Sequence, residues 1–239
     1  APWIAPYDYA AQNLSDAFEP PCAKYWLGTD DFGRDILSRL IYGARISLQV
    51  GLFAVWLSMC VGGVLGAIAG YYGGKVDDII MRFMDILLSI PQILLAVTIA
   101  AALGPGLLNL TIAVGIANIP SFARVVRGAV LSIVGQEVIE AAHCMGASDA
   151  WIIARHILPN CSAPIIVQAT LRVAGAILAA AALSFLGLGI QPPTPEWGGM
   201  LSAARGYVRD YAYMTISPGL AIMITILALN FLGDGLRDA

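Results

Sequence analysis

The chain has 239 residues, of which 59% are hydrophobic and only 12% are charged, and its mean hydropathy is +0.77. Soluble domains carry about 25% charged residues, so this composition predicts an integral membrane protein. The formal net charge is −3 and no stretch interleaves basic with aromatic residues, which argues against nucleic acid as a partner. The four cysteines lack the spacing of a metal site or a disulfide framework and are interpreted as small apolar residues or free thiols.

The N-terminal residues are predicted to lie outside the bilayer. Residues 1–28 contain several prolines and few helical runs, so they are expected to be extended and exposed to water. Residues 27–48 place apolar side chains on one helical face, which predicts a helix at the membrane interface. Thr29 or Asp30 is suited to cap that helix.

The rest of the chain predicts an all-α polytopic transmembrane helix bundle with five spans. The first span lies between Arg45 and Lys75, where no residue is charged and the length exceeds the roughly 30 Å of hydrocarbon. Small residues recur on it at every fourth position, namely Ser58, Gly62, Gly66 and Gly70. This spacing favours close packing against another helix.

A short charged connector, residues 75–85, is expected to precede a second apolar run over residues 86–123. Residues 104–106, Gly-Pro-Gly, divide that run into two spans joined by a tight turn. Pro91 and Pro120 are expected to bend these spans. The last two spans are expected near residues 164–189 and 214–233.

One polar interruption, residues 128–160, separates the third and fourth predicted spans. Its apolar residues recur at steps of three or four, at Val130, Val134, Val138, Ala141 and Met145. This periodicity predicts an amphipathic helix with Gln136, Glu140 and His143 on its opposite, polar face. Gly146 is suited to end the helix in a left-handed conformation.

A second short helix is predicted after this glycine. Ser148 is placed to cap it, and Pro159 is expected to stop it because Leu158 is biased out of the helical region. The product is a helix, a glycine turn and another helix, too polar to cross the bilayer. An ordinary amphipathic connector between two spans is the alternative interpretation.

The segments Glu140-Ala141-Ala142, Gly146 and Ile157-Leu158-Pro159 resemble the EAA loop of permease subunits in ABC importers. His156 occupies the position where that motif has isoleucine, and Ile157 fills the next one. Residues 155–160, together with residues 27–48 and 183–201, look like the dipeptide, oligopeptide and nickel branch of these permeases.

The resemblance implies that the loop is a cytoplasmic coupling element docked on an ATPase subunit. The implied coupling residues are Glu140, Ala141, Ala142, Gly146, Ala147, Ser148, His156, Leu158 and Pro159. It further implies a bacterial inner-membrane location, surrounding lipid, a second homologous permease, two ATP-binding subunits and an extracytoplasmic solute-binding protein. The family core has six spans with both ends cytoplasmic, so one further span is expected before Ala1.

On this interpretation, residues 1–45 are an extracytoplasmic segment with an interfacial helix, and residues 46–239 are the permease domain. Residues 183–201 are then an outer loop, whose candidate site residues are Pro192, Pro193, Glu196, Trp197 and Gly198. Trp197 is expected at the membrane interface. Dipeptides, longer peptides, glutathione and nickel all remain open as the solute.

Arg172 is the only charged residue within a predicted span. An arginine near the bilayer centre costs roughly 2.5–3.5 kcal/mol on insertion scales, so it should face protein, water or the interface. It is expected either to line the translocation path, or to snorkel to the interface or pair structurally. Asn109 and Asn118 are expected either to face a pore or to form a helix–helix hydrogen bond.

The sequence has no P-loop, since Gly73-Gly74-Lys75 lacks both the first glycine and the following Ser or Thr. No catalytic set and no metal-ligand spacing can be assembled, so no enzymatic activity and no cofactor are expected on this chain; ATP and Mg²⁺ are expected on the partner subunits. His143 and His156 are interpreted as parts of the docking surface. The competing functions are a stand-alone secondary transporter or channel and a membrane-embedded enzyme.

Overall fold

The structure is a computed structural model that describes residues 1–238, and helices account for nearly all of its regular structure. The predicted all-α class is therefore confirmed. The helices are α1 (Ile36–Tyr72), α2 (Gly74–Ser89), α3 (Gln92–Leu103), α4 (Leu107–Leu131), α5 (Glu137–Cys144), α6 (Asp149–Ile152), α7 (Leu158–Asn160), α8 (Ser162–Phe185), α9 (Trp197–Ala204) and α10 (Tyr213–Asp238).

Within the described residues, four single helices, α1, α4, α8 and α10, are long and apolar enough to cross a membrane, and the bent pair α2–α3 supplies a fifth crossing if counted as one span. The bend of 88° falls at Pro91, as predicted. Proline biases the preceding residue out of the helical region, and Ile90 has extended dihedrals of φ −89° and ψ 129°. Pro120 lies buried within an unbroken α4.

The predicted connector at residues 75–85 is wrong, because these residues belong to helix α2. Two of their charges are used in contacts with α4. Arg127 forms a bidentate pair with Asp77, and Arg124 Nη2 lies 2.6 Å from Asp85 Oδ1. α2 is thus an amphipathic helix that pairs with its neighbour through two carboxylates.

Helices α1 and α4 form the most extensive helix pair in the bundle, and the predicted small-residue stripe makes the contact. A Cβ atom at Gly62 would lie 2.6 Å from the carbonyl oxygen of Ile119, and one at Gly66 would lie 2.3 Å from that of Ala123. Only glycine lets the two backbones approach this closely. Ser58 is buried on the same stripe and donates to the carbonyl of Ala54.

The predicted interfacial helix is not a separate element, because α1 runs without a break from Ile36 to Tyr72. A division at residue 45 therefore falls inside a continuous helix. The cap is Asp35 rather than Thr29 or Asp30, since its carboxylate accepts from the backbone N–H of Ser38 at 2.8 Å.

Residues 1–28 are mostly exposed, as predicted, but they fold back in turns instead of running extended, and Phe18 N donates to the carbonyl of Asp30 at 3.1 Å. Thr29, Asp30 and Arg34, which follow this segment, are buried. Arg34 Nε donates to Asp30 Oδ2 at 2.6 Å, so the buried charges are paired. The ring of Phe18 stacks at 4.4 Å on that of Tyr211, just before α10, which holds the segment against the bundle.

The bundle has two distinct ends. We call the end that carries residues 132–161 the loop end; α1 and α4 finish there and α8 begins there. We call the other the N-terminal end, where the first 35 residues and α9 lie. There Trp197 Nε1 donates to the carbonyl of Leu40 at 3.1 Å, and Gly106 N donates to that of Gly189 at 3.1 Å.

Candidate coupling loop and translocation cleft

Residues 132–161 fold as a helix, a glycine turn and a second helix, which confirms the predicted local structure. Gly146 has φ +78° and ends α5. Ala147 N donates to the carbonyl of Ala142 at 3.1 Å, and Gly146 N donates to that of His143 at 2.9 Å. This pair of bonds is the Schellman motif, which satisfies carbonyls that the helix end leaves free.

The second half of the apolar stripe predicted on the first helix, Val138, Ala141 and Met145, faces outward, whereas Val130 at its start is buried in α4. Met145 is 80% exposed and Val138 is 59% exposed, whereas Ile139 and Ala142 are buried. The prediction assumed one helix from Val130 onward. Turn residues 132–136 interrupt that helix and rotate the face that meets the core.

The second helix does not stop at Pro159. Residues 153–157 form a π-helical turn, and Leu158 N bonds the carbonyl of Ile153, five residues back. Such a turn accommodates the proline, and helical structure continues to Asn160 before a bend at Cys161 leads into α8. Ser148 is the N-cap residue of α6, but its side chain makes no capping bond.

A compact apolar core lies beneath the loop and joins it to two spans, α1 and α4. The buried members are Ala67 on α1, Val126 and Val130 on α4, and Ile133, Ile139, Ala142, Ile152, Ile157 and Cys161 in and around the loop. Ala147 and Leu158 are half-buried against this core. Burial in the core also raises the pKa of the Cys161 thiol. The core therefore anchors the buried face of each helix to the bundle.

The outer surface of the loop combines apolar and acidic side chains. Val138, Ala141, Met145 and Trp151 are exposed there, and Glu137 and Glu140 are exposed beside them. We call these six residues the docking patch. Exposed apolar side chains grouped in this way mark interaction surfaces.

The two histidines of the loop have different surroundings. His143 is exposed and its Nε2 lies 3.0 Å from the hydroxyl oxygen of Tyr71 at the end of α1. His156 is half-buried, with its ring 4.9 Å from that of Trp151, and Pro159 nearby is exposed. The structure therefore does not bring the two histidines together as neighbours.

A cleft of about 420 Å³ lies between α3, α4 and α8, and Arg172 and Asn118 both line it. Gln92 lines it too, and its Nε2 donates to Asn118 Oδ1 at 2.7 Å. Gln92 was missed in the sequence, although it is the polar residue directly after the helix-breaking Pro91. When the side-chain amide of Gln168 is oriented with its oxygen toward Arg172, that oxygen accepts from Arg172 Nε at 2.8 Å.

No carboxylate pairs with Arg172 among residues 1–237. Asn109 does not line this cleft, although it was grouped with Arg172 and Asn118 from the sequence. Its amide donates to the carbonyls of Leu103 and Gly104 at 2.8 and 3.2 Å, which closes the turn between α3 and α4.

The predicted outer loop holds buried residues at its centre. Glu196 is 2% exposed, and its carboxylate accepts from the backbone N–H groups of Gly198 and Gly199 at 2.9 Å, which caps α9. Trp197 is buried against α1, so the expected interfacial position is wrong. Ser47 on α1 adds a 3.3 Å bond to Glu196, whereas Pro192 and Pro193 are exposed.

The chain belongs to the family described as the binding-protein-dependent transport system inner membrane component, whose model matches residues 62–239. It is 52% identical, over its whole length and 79% of the relative's, to the dipeptide transport system permease protein DppC of Alkalihalophilus pseudofirmus. It is 49% identical, again over its whole length and 80% of the relative's, to the glutathione transport system permease protein GsiD of Pectobacterium atrosepticum.

Solved structures agree on the fold. An inward-facing form of the MetNI methionine ABC transporter superposes with a TM-score of 0.69 at 19% identity, covering 84% of this chain and 95% of that one. An amino acid ABC transporter gives 0.63 at 14% identity, covering 84% and 94%. The chain is a multi-pass inner-membrane permease with the fold of ABC importer membrane subunits.

Proposed function

We propose that this permease carries short peptides, or peptide-like solutes such as glutathione, across the inner membrane. The observation that carries the proposal is the identity of 52% and 49%, over the full chain, with permeases named for dipeptide and glutathione transport. The fold alone is compatible with many solutes, so the solute class depends on these relatives.

We propose that ATP, bound with Mg²⁺ on two separate ATP-binding subunits, drives transport. The absence of a P-loop from this sequence supports an external energy source. The docking patch is the proposed contact, because a short helix that exposes Val138 and Met145 beside Glu140 is suited to a groove on a partner protein. The loop end is then cytoplasmic and the N-terminal end extracytoplasmic.

The proposed mechanism is alternating access. The loop continues directly into α4 on one side and α8 on the other, so displacement of the helix pair by moving ATPase subunits tilts both spans. ATP binding must stabilise one arrangement through contacts made only there, since a ligand shifts an equilibrium only by its differential affinity. A second, homologous permease subunit completes the pathway.

We propose that the cleft around Arg172 is part of that pathway. A guanidinium without a carboxylate partner among the described residues is suited to the C-terminal carboxylate of a peptide, and the volume suits a small solute. The amides of Gln92 and Asn118 supply further hydrogen-bonding groups. Asn109 is not included, because its side chain is used in a turn.

At the N-terminal end, we propose that the solute-binding protein rests near the exposed Pro192 and Pro193. The buried residues behind this surface fix α9 against α1 and α8; they are Glu196, Trp197 and Gly198. Gly198 packs directly on Ala181, where a Cβ would lie 2.3 Å from the carbonyl oxygen, so this contact requires glycine.

The test is uptake by proteoliposomes holding this chain, its second permease and its ATPase subunits, with loaded binding protein outside and ATP inside. We expect accumulation of radiolabelled dialanine or glutathione only with ATP and all subunits. Uptake of neither solute, while another accumulates, would contradict the peptide assignment. Uptake by this chain alone would support a stand-alone transporter or channel instead.

A further inference from the structure

The hydroxyl group of Tyr71 joins three elements at one point. Tyr71 is the penultimate residue of α1, and its oxygen lies 3.0 Å from His143 Nε2 on α5 and 3.0 Å from Asp149 Oδ1 on α6. The Tyr71 and His143 rings lie nearly parallel, with centroids 6.0 Å apart. We call this group the Tyr71 link.

Hydrogen-bonding chemistry gives the link a direction. An ionised carboxylate only accepts, so the tyrosine O–H donates to Asp149. The hydroxyl oxygen then accepts from His143, which requires a proton on Nε2. Asp149 therefore only accepts, His143 only donates, and Tyr71 does both. The two bonds are not interchangeable.

The position of the link along the loop matters for its stiffness. His143 and Asp149 lie on opposite sides of the Gly146 turn, and a Cβ at Gly146 would meet nothing within 4 Å. The side of the turn that a Gly146 side chain would face is therefore open. The Tyr71 hydroxyl bonds both helices across this glycine and so ties them together in addition to the core beneath.

The link also connects the loop to α1. The loop is continuous in the chain with α4 and α8 but not with α1. α1 packs through Gly62, Gly66 and Gly70 against α4, and Asp77 on α2 pairs with Arg127 on α4. α1, α2 and α4 consequently form one packed unit at the loop end. Attachment of both coupling helices to α1 makes the loop move with that unit.

We propose that Tyr71 is a positioning residue that holds both coupling helices at a fixed angle to α1, so that displacement of the loop by the ATPase becomes movement of the spans. This inference rests on the proposed coupling role of the loop. Without the link, the ATPase still docks and hydrolyses ATP, but part of its displacement is absorbed at the Gly146 turn.

The test compares solute uptake per ATP hydrolysed in the reconstituted complex, using the solute identified by the uptake assay above. Tyr71→Phe removes only the hydroxyl. We expect uptake per ATP to fall about tenfold, within the usual range of coupling factors, while subunit assembly and the ATP hydrolysis rate stay near wild-type. Tyr42→Phe is the matched control, because Tyr42 lies on the same helix at the N-terminal end, with its ring against Tyr9.

Substitutions of His143 separate positioning from general stability. His143→Gln keeps an N–H donor and is expected to retain most of the coupling, whereas His143→Leu is expected to match Tyr71→Phe. Normal uptake per ATP in Tyr71→Phe, or equal losses in both His143 variants, would overturn the link. Normal uptake in a variant with a disrupted Gly146 turn would instead overturn the coupling role of the loop itself.

Discussion

At the residue scale, Gly146 has the conformation that the coupling proposal requires. Its φ of +78° lies in the left-handed region, which glycine adopts without the cost that a Cβ imposes. Its predicted position was correct because the signal is local. A glycine after an amphipathic run is the usual end of a helix.

Gly146→Pro is expected to abolish solute uptake while leaving membrane insertion intact. Proline holds φ near −65°, so the Schellman turn and the angle between α5 and α6 are lost. Gly146→Ala is the matched variant, with a cost of about 1 kcal/mol for the left-handed conformation and a partial effect. Uptake by reconstituted complexes and the amount of chain in membranes measure both, and normal uptake by the proline variant would remove the coupling assignment.

Glu140→Lys is expected to abolish uptake by weakening ATPase docking. Glu140 is exposed at the edge of the docking patch, where reversal of its charge changes electrostatic complementarity without disturbing the core. The exposed Asp210, at the N-terminal end, provides the control substitution Asp210→Lys. Co-purification of the ATPase subunits and uptake are measured together, and unchanged values in Glu140→Lys would contradict a contact at this residue.

Arg172→Gln is expected to lower uptake of a free peptide about tenfold, because hydrogen bonds to charged groups contribute about 1.5–3 kcal/mol. Arg172→Lys keeps the charge and should lose less. Asn109→Ala, outside the cleft, should leave uptake per assembled complex unchanged. Wild-type rates in Arg172→Gln would exclude this guanidinium from the pathway.

At the element scale, the α1–α4 contact was foreseeable and the local course of several helices was not. The spacing of Gly62, Gly66 and Gly70 is visible along one helix, so the packing face could be identified without its partner. The outward position of Val138 and Met145 depends on the turn at residues 132–136. That turn depends on the tertiary structure. Because it interrupts the helix, it changes the direction in which every later residue of the helix faces.

Gly66→Ala is expected to destabilise the chain by about 1–3 kcal/mol, the usual cost of overpacking. A Cβ there would lie 2.3 Å from the carbonyl oxygen of Ala123, which must move away. Gly63→Ala is the matched control three positions earlier, since its Cβ would meet nothing within 4 Å. Thermal unfolding of the detergent-solubilised chain compares them, and equal midpoints would contradict the close contact.

At the scale of the whole molecule, the native cysteines provide a test of orientation. Cys144 is exposed on α5 and Cys22 is half-buried in the N-terminal segment, at opposite ends of the bundle. A membrane-impermeant maleimide should label a Cys144-only chain in inverted vesicles and a Cys22-only chain in right-side-out vesicles. Added ATPase subunits should protect Cys144. Labelling of Cys144 from the outer side would contradict a cytoplasmic loop.

The sequence by itself determined the membrane class, the apolar spans, the small-residue stripe and the helix–glycine–helix loop, because each depends on residues close together in the chain. Only the tertiary structure decided which face of α5 is buried, that Trp197 is buried and that Gln92 meets Asn118. Those outcomes depend on contacts between distant segments, and local periodicity carries no information about the partner that a side chain will meet.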